Sequence, residues 1–233
     1  MTEHIGIVAC SPEGAALCYR TICIEAADIM GKYAFPEITM HGFSFKDYVQ
    51  YLDVEDWEGV AGLMLLSAEK LAKAGATFAI CPDNTIHQPF DLIIKKSPIS
   101  WLHIAEEVAA EAVRRGYTRL GILGTRSLME GPVYSTRLAA VGIEQKLPAR
   151  KDRERINRII FDQLVEGRFL PETRSYFNEI IGGLKKDGCD AVVLGCTEIP
   201  LLMTEADSVL PMLDSTRILA RAALNKATRT ILD

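Results

Sequence analysis

Six cysteines, Cys10, Cys18, Cys23, Cys81, Cys189 and Cys196, are the side chains best suited to chemistry in this 233-residue chain. Their spacings contain no paired CxxC or CxxH element, so no zinc site is expected. Six thiols in a chain this long do not make a disulfide scaffold either, and most should be small buried residues. Cys196 has a different setting. It closes the apolar run Ala191-Val192-Val193-Leu194-Gly195 and is followed by the polar pair Thr197-Glu198. A thiol at such a strand end, near helix starts and hydrogen-bond donors, can have its pKa brought from ~8.5 towards neutrality and then serve as acid or base. Cys81 closes Phe78-Ala79-Ile80 and is followed by Pro82-Asp83-Asn84-Thr85, which places a thiol and a carboxylate two residues apart. Asn84, Thr85 and Thr197 can cap the helices that follow their loops or line a site where helix N-termini hold a carboxylate ligand, and Ser11 and Thr125 stand in two further loops as candidate ligand contacts. Glu198 either holds a neighbouring donor or favours a helix start. His87 either polarises a catalytic group or is a hydrogen-bonded structural residue, and Arg126 and Lys46 either meet a ligand carboxylate or stay solvated.

Short apolar runs alternate with longer amphipathic stretches, which predicts parallel strands joined by helices and an α/β fold. Strands are expected at Ile5–Ala9, Glu37–Met40, Phe78–Cys81, Arg119–Leu123 and Ala191–Leu194, and helices at Gly14–Met30, Trp57–Ala74, Ile104–Arg115 and Leu170–Lys186. Ile156–Phe161 reads equally as a strand or a buried helical turn.

The segment Ile5-Gly6-Ile7-Val8-Ala9-Cys10-Ser11 is similar to Leu120-Gly121-Ile122-Leu123-Gly124-Thr125, and each leads to a later strand ending at a cysteine. Gly6 to Cys81 and Gly121 to Cys196 span the same distance, since 81 − 6 = 196 − 121 = 75. A duplicated unit follows: two similar, pseudo-two-fold-related lobes with parallel sheets, one at 1–100 plus about 214–233 and the other at 101–213. Ligands of open α/β sheets bind outside the carboxyl ends of the strands, so the site is expected in the cleft between the lobes.

Composition removes several classes. A net charge of −5 with no block of Lys or Arg predicts neither nucleic acid nor an anionic membrane surface as partner. No apolar stretch approaches the ~20 residues of a membrane span, and the first residues lack a secretory signal, so a cytoplasmic protein is expected. Neither GxGxxG nor GxxxxGK[ST] is present, and no lysine has a pyridoxal phosphate setting, so no cofactor is expected.

Taken together, Glu166-Gly167-Arg168-Phe169, then Glu172, Arg174 and Tyr176, and Leu194-Gly195-Cys196-Thr197-Glu198-Ile199 resemble the aspartate/glutamate racemase superfamily. Leu123-Gly124-Thr125-Arg126 with Met129-Glu130, Asn84-Thr85-Ile86-His87, and Ser11-Pro12-Glu13 with Tyr19-Arg20 are similar to further elements of it, in the expected order. Gly-Cys-Thr-Glu-Ile is the most specific of these. The resemblance implies a cofactor-independent amino-acid racemase, often a homodimer, acting on aspartate or glutamate. In that family two cysteines flank the substrate, one taking the α-proton as thiolate and the other returning a proton as thiol. By the same resemblance Ser11, Asn84, Thr85, Thr125, Thr197 and Glu198 are expected to bind substrate.

One position departs from the family pattern. The residue directly before Asn-Thr, a cysteine in the family, is Asp83 here. Equal spacing pairs Cys81 with Cys196, whereas motif alignment pairs Asp83 with Cys196. The motif alignment is preferred, because a connecting segment absorbs two residues easily and the loop beside Asn84 decides which side chain faces the substrate. An unperturbed carboxylate (pKa ~3.9) is a weaker base than a thiolate, so an Asp–Cys pair predicts an asymmetric site. Related activities stay open: hydantoin racemase, maleate isomerase, arylmalonate decarboxylase, or a non-enzymatic small-ligand binding protein.

Overall fold

The computed structural model describes the backbone of residues 2–232 and the side chains of residues 2–229. The outermost residues of the first expected lobe, 1 and 233, lie outside the described residues. The chain divides into two compact units, residues 1–107 with 216–233, and residues 108–215.

The first unit contains β1 (Ile5–Ala9), α1 (Pro12–Glu25), α2 (Ala27–Met30), β2 (Ile38–Gly42), α3 (Phe45–Leu52), α4 (Trp57–Lys73), β3 (Phe78–Ile80), α5 (Phe90–Ile94) and β4 (Ser100–Trp101). Helix α6 (Ile104–Arg114) carries the chain into the second unit. There follow β5 (Arg119–Leu123), α7 (Arg126–Glu130), α8 (Pro132–Ala140), β6 (Glu144–Lys146), α9 (Arg150–Ile159), α10 (Pro171–Lys186), β7 (Ala191–Leu194), α11 (Ile199–Leu202) and β8 (Met212–Asp214). The final helix, α12 (Ser215–Leu232), belongs to the first unit from residue 216.

Each unit holds a four-stranded, wholly parallel sheet, and the orders match: β2-β1-β3-β4 and β6-β5-β7-β8. Parallel sheets need both faces covered, and the first unit shows how its sequence achieves this. Ile5, Ile7, Phe78 and Ile80 pack with Ala15, Cys18 and Ile22 of α1 and with Leu219, Ala223 and Leu224 of α12. Val8, Cys10 and Cys81 instead pack with Tyr48 of α3 and with Val60, Met64 and Leu71 of α4. Each fully buried Ile or Phe among these contributes roughly 1.5–3 kcal/mol.

The expected α/β class and the five expected strands are present. The helix expected over Gly14–Met30 is divided at Ala26, where Ile29 N–H donates to Ala26 O in the tighter i→i+3 pattern. The ambiguous Ile156–Phe161 is helical, spanning the end of α9 and the start of a π-helical turn at Ile160–Leu164. The strands that sequence reading missed are short: β4 has two residues, while β6 and β8 have three each. β6 reads Glu-Gln-Lys, which carries no hydrophobic period at all. Among the described residues, no helix is long and apolar enough to cross a membrane.

Candidate active site

In a sheet of order 2-1-3-4 the order of strand addition reverses between β1 and β3, so the loops leaving those two parallel strands form the natural ligand crevice. In the first unit these loops carry Cys10-Ser11 and Cys81-Pro82-Asp83-Asn84-Thr85. The backbone N–H of Ser11 donates to Asp83 Oδ2 at 3.0 Å, tying the two loops together. Ser11 is also the N-cap of α1, its Oγ accepting from Gly14 N–H at 3.3 Å, with Pro12 opening the helix behind it. Asp83 itself is half-buried, Ser11 and Asn84 are buried, and Thr85 is partly exposed. Asn84 precedes a short 3₁₀ turn, Thr85–His87, without a side-chain cap bond, so capping does not explain that residue.

His87 has a structural bond: its Nε2 donates to Cys81 O at 2.9 Å, while its ring stacks on Phe90 and lies 4.8 Å from His103. Cys81 is fully buried on the α3/α4 face of the sheet, and burial followed by the Asp83 charge pushes its thiol well up. A thiol so placed is poorly suited to act as thiolate at neutral pH.

The second unit presents Gly124-Thr125 after β5 and Gly195-Cys196-Thr197-Glu198 after β7. Gly195 N–H donates to Leu123 O at 2.7 Å, joining these loops at their base. Thr125 caps α7, its Oγ1 accepting from Leu128 N–H at 3.2 Å. Cys196, Thr197 and Glu198 are all buried, and the Cys196 thiol donates to Glu198 Oε2 at 2.9 Å. Arg126 is exposed, its backbone N–H held by Asn157 Oδ1 at 2.8 Å, and Lys46 is exposed as well.

Strand register compares the two halves position by position. Gly6 is paired with Ala79, and Gly121 with Val192, offsets of 79 − 6 = 73 and 192 − 121 = 71. Equating Gly6 with Gly121 therefore equates Cys81 with Leu194 and Asp83 with Cys196. Packing around the two glycines gives the same answer. A Cβ on Gly6 would meet Leu71 Cδ1 at 3.1 Å, and one on Gly121 would meet Leu184 Cδ1 at 2.7 Å. Both leucines lie eight residues before the paired strand position, since 79 − 71 = 192 − 184 = 8. The two extra residues of the first half thus lie before Leu71, in the connection between β1 and the end of α4.

Sequence reading did not single out Tyr48. It is fully buried in the same apolar cluster as Cys10 and Cys81, the residues directly after β1 and β3. The period of Phe45–Leu52 could have placed it on a buried face.

The Asp/Glu/hydantoin racemase family model matches residues 7–223. Among solved structures, a Yersinia pestis protein provisionally described as an Asp/Glu racemase is 32% identical, with a TM-score of 0.89 over 97% of this chain and 99% of its own. An aspartate racemase homologue from Pyrococcus horikoshii OT3 is 29% identical, with a TM-score of 0.84 over 97% of this chain and 99% of its own. The broad specificity amino-acid racemase RacX of Bacillus subtilis (strain 168) is 24% identical over 160 residues, which is 68% of each chain. With the match spanning both β-sheets and all four carboxyl-end loops, the chain belongs to the Asp/Glu/hydantoin racemase family.

Proposed function

We propose that this protein is a cofactor-independent amino-acid racemase acting on aspartate, glutamate or both by two-base α-proton transfer, with Asp83 and Cys196 as the acid/base groups. The observation that carries this reading is the register equivalence of Asp83 and Cys196, each two residues beyond the last core position of the third strand of its own sheet. Cys81 is the alternative to Asp83, and its burial in the α3/α4 core weighs against it.

In one direction the Asp83 carboxylate takes the α-proton while the Cys196 thiol gives its proton to the carbanion. In the other direction the two exchange roles. Acid–base assistance of this kind contributes roughly 10²–10⁴-fold each. The carbanion's charge spreads into the α-carboxylate, where donors around Asn84, Thr85 and Thr197 would stabilise it much as an oxyanion hole does. Ser11 and Thr125 shape the same loops through their caps. Glu198 accepts a hydrogen bond from the Cys196 thiol and so keeps that group protonated, which favours the direction in which Asp83 acts as base. The protein acts in the cytoplasm as a homodimer on this reading.

A hydantoin substrate is the second reading, because the matched family spans both substrate types. The test is incubation with L- and D-aspartate, L- and D-glutamate and a 5-substituted hydantoin in D₂O, following α-hydrogen exchange and chirality. Exchange with inversion of an amino acid supports the first reading, exchange of the hydantoin alone supports the second, and no exchange of any of them sinks both. Asp83→Asn and Cys196→Ser are expected to lose at least about 100-fold in exchange rate. Cys81→Ser is expected to retain most of it, and loss there with a functional Asp83→Asn would reverse the assignment.

A further inference from the structure

Lys70 stands exposed in the last turn of α4 with its Nζ 2.9 Å from His41 Nε2, and His41 Nδ1 lies 3.0 Å from the fully buried Ser67 Oγ. The group joins two elements. His41 belongs to the edge strand β2, and Ser67 and Lys70 stand three residues apart on one face of α4. The Lys70 ammonium also lies 4.6 Å from the centre of the Phe43 ring, which meets His41 edge-on with ring centres 4.9 Å apart. Lysine and histidine are each held from two directions.

An ammonium group can only donate, so His41 Nε2 is the acceptor and the single proton of the neutral ring sits on Nδ1, where Ser67 Oγ receives it. This tautomer turns the basic nitrogen of His41 towards Lys70. Burial, followed by the Lys70 charge, holds His41 below the ordinary imidazole range, so at neutral pH that nitrogen carries no proton of its own.

Other lysines have different surroundings. Lys146 and Lys226 pair with the carboxylates of Asp187 and Glu3, Lys185 donates to Val209 O, and Lys32 lies over the Tyr33 ring. Lys73 is exposed at the same end of α4, one turn beyond Lys70. Among the described residues Lys70 alone has an imidazole nitrogen at hydrogen-bond distance. A lysine forms an amide only as the free amine, and its attack releases a proton, so a neutral imidazole at Nζ assists it as a general base.

We propose that Lys70 is a site of Nε-acylation by small acyl phosphates, with His41 as the base that receives the proton. The Lys70 amine attacks the acyl carbonyl, the N–C bond forms, and the C–O bond to phosphate breaks with its electron pair leaving on inorganic phosphate. The proton lost from nitrogen passes to His41 Nε2 and then to solvent, and nothing is oxidised or reduced. An acyl phosphate suits the place because its negative charge is drawn to Lys70 and Lys73 and because it brings its own leaving group. The product amide keeps one N–H for Nε2 but loses the charge over Phe43, so the modification removes the cation–π contact between α4 and the segment after β2.

The test treats the folded full chain with ¹³C-labelled acetyl phosphate near neutral pH and follows site occupancy by peptide mass spectrometry, with Lys73 as internal reference. A positioned base contributes roughly 10²–10⁴-fold in an enclosed site, and at this exposed one Lys70 is expected to acylate about 10-fold faster than Lys73. His41→Gln keeps an acceptor for Lys70 but no base, and should bring the two lysines to within about 2-fold of each other. Ser67→Ala releases the ring and should lower the ratio by less, which supplies the answer if His41→Gln does not fold. Unfolding the wild-type chain in urea should erase the preference. Equal initial rates at Lys70 and Lys73 in the folded wild type overturn the proposal, as does a preference that survives the His41 or Ser67 substitution at full size or persists in urea. Acylation is read without turnover, so its failure leaves the racemase reading standing.

Discussion

Glu198→Gln tests how the second half of the site is set. The Cys196 thiol donates to Glu198 Oε2 at 2.9 Å, and both residues are buried. If the thiol ionised, two negative charges would stand at that separation. At an effective dielectric of ~20 their repulsion is about 6 kcal/mol. Partial solvation and movement of the Glu198 side chain reduce this, and we take about 1.5–3 kcal/mol, equivalent to about one to two pH units. Glutamine keeps an oxygen to receive the thiol proton but removes the charge. The Cys196 midpoint should therefore fall by about one to two pH units, a shift readable from thiolate absorbance at 240 nm or from the pH dependence of iodoacetamide alkylation. Cys196→Ser identifies the signal, and burial already displaces Cys23, Cys81 and Cys189 upwards and away from it. In catalysis the direction that needs Cys196 as base should gain relative to the other. A midpoint that stays within about 0.3 unit of wild type, or rises, would refute the reasoning.

Asp190 accepts from Thr118 N–H at 2.6 Å, Thr118 Oγ1 at 2.8 Å and Arg119 N–H at 2.9 Å, and these bonds, the Thr118 backbone first, hold its pKa below the usual carboxylate range. Its contribution is therefore complete above the unfolded value of ~3.9 and is lost as pH falls through the lower folded value. Asp190→Asn should cost roughly 1 kcal/mol at pH 7, allowing for partial exposure, with the gap to wild type closing below about pH 4 in urea unfolding. At Gly195 an added Cβ would meet Leu128 Cδ2 and, at 2.9 Å, the backbone oxygen of Leu123. The side chain can move but the strand end cannot easily do so, so Gly195→Ala should lose about 1–3 kcal/mol of unfolding free energy, and an unchanged Tm would mean that the loop base is softer than its packing implies.

Much of the fold is readable because the central strands are apolar and run directly into polar loops. Ile5–Ala9, Arg119–Leu123 and Ala191–Leu194 have the same limits in sequence and structure. The edge strands were not readable, since β6 is stabilised by backbone bonds to β5 and its own residues are polar. Helix capping was one reading of Asn84, yet it makes no cap bond, whereas Ser11 and Thr125, for which residue order offered no such reading, do.

The sequence alone determined the α/β class, the duplication and the prominence of Cys196, because apolar periodicity and a polar residue pair after a strand are local properties. It left Asp83 and Cys81 as rivals, because equal spacing favours one and motif alignment the other. Strand register in the tertiary structure puts Asp83, rather than Cys81, at the position equivalent to Cys196. Hydrogen bonds between β1 and β3 fix which residues are level, whereas counting along the chain also counts insertions made far from the strands. The Cys196–Glu198 bond and the Lys70–His41–Ser67 line likewise needed coordinates. Each depends on the direction in which side chains point from neighbouring elements, and residue order does not record that direction.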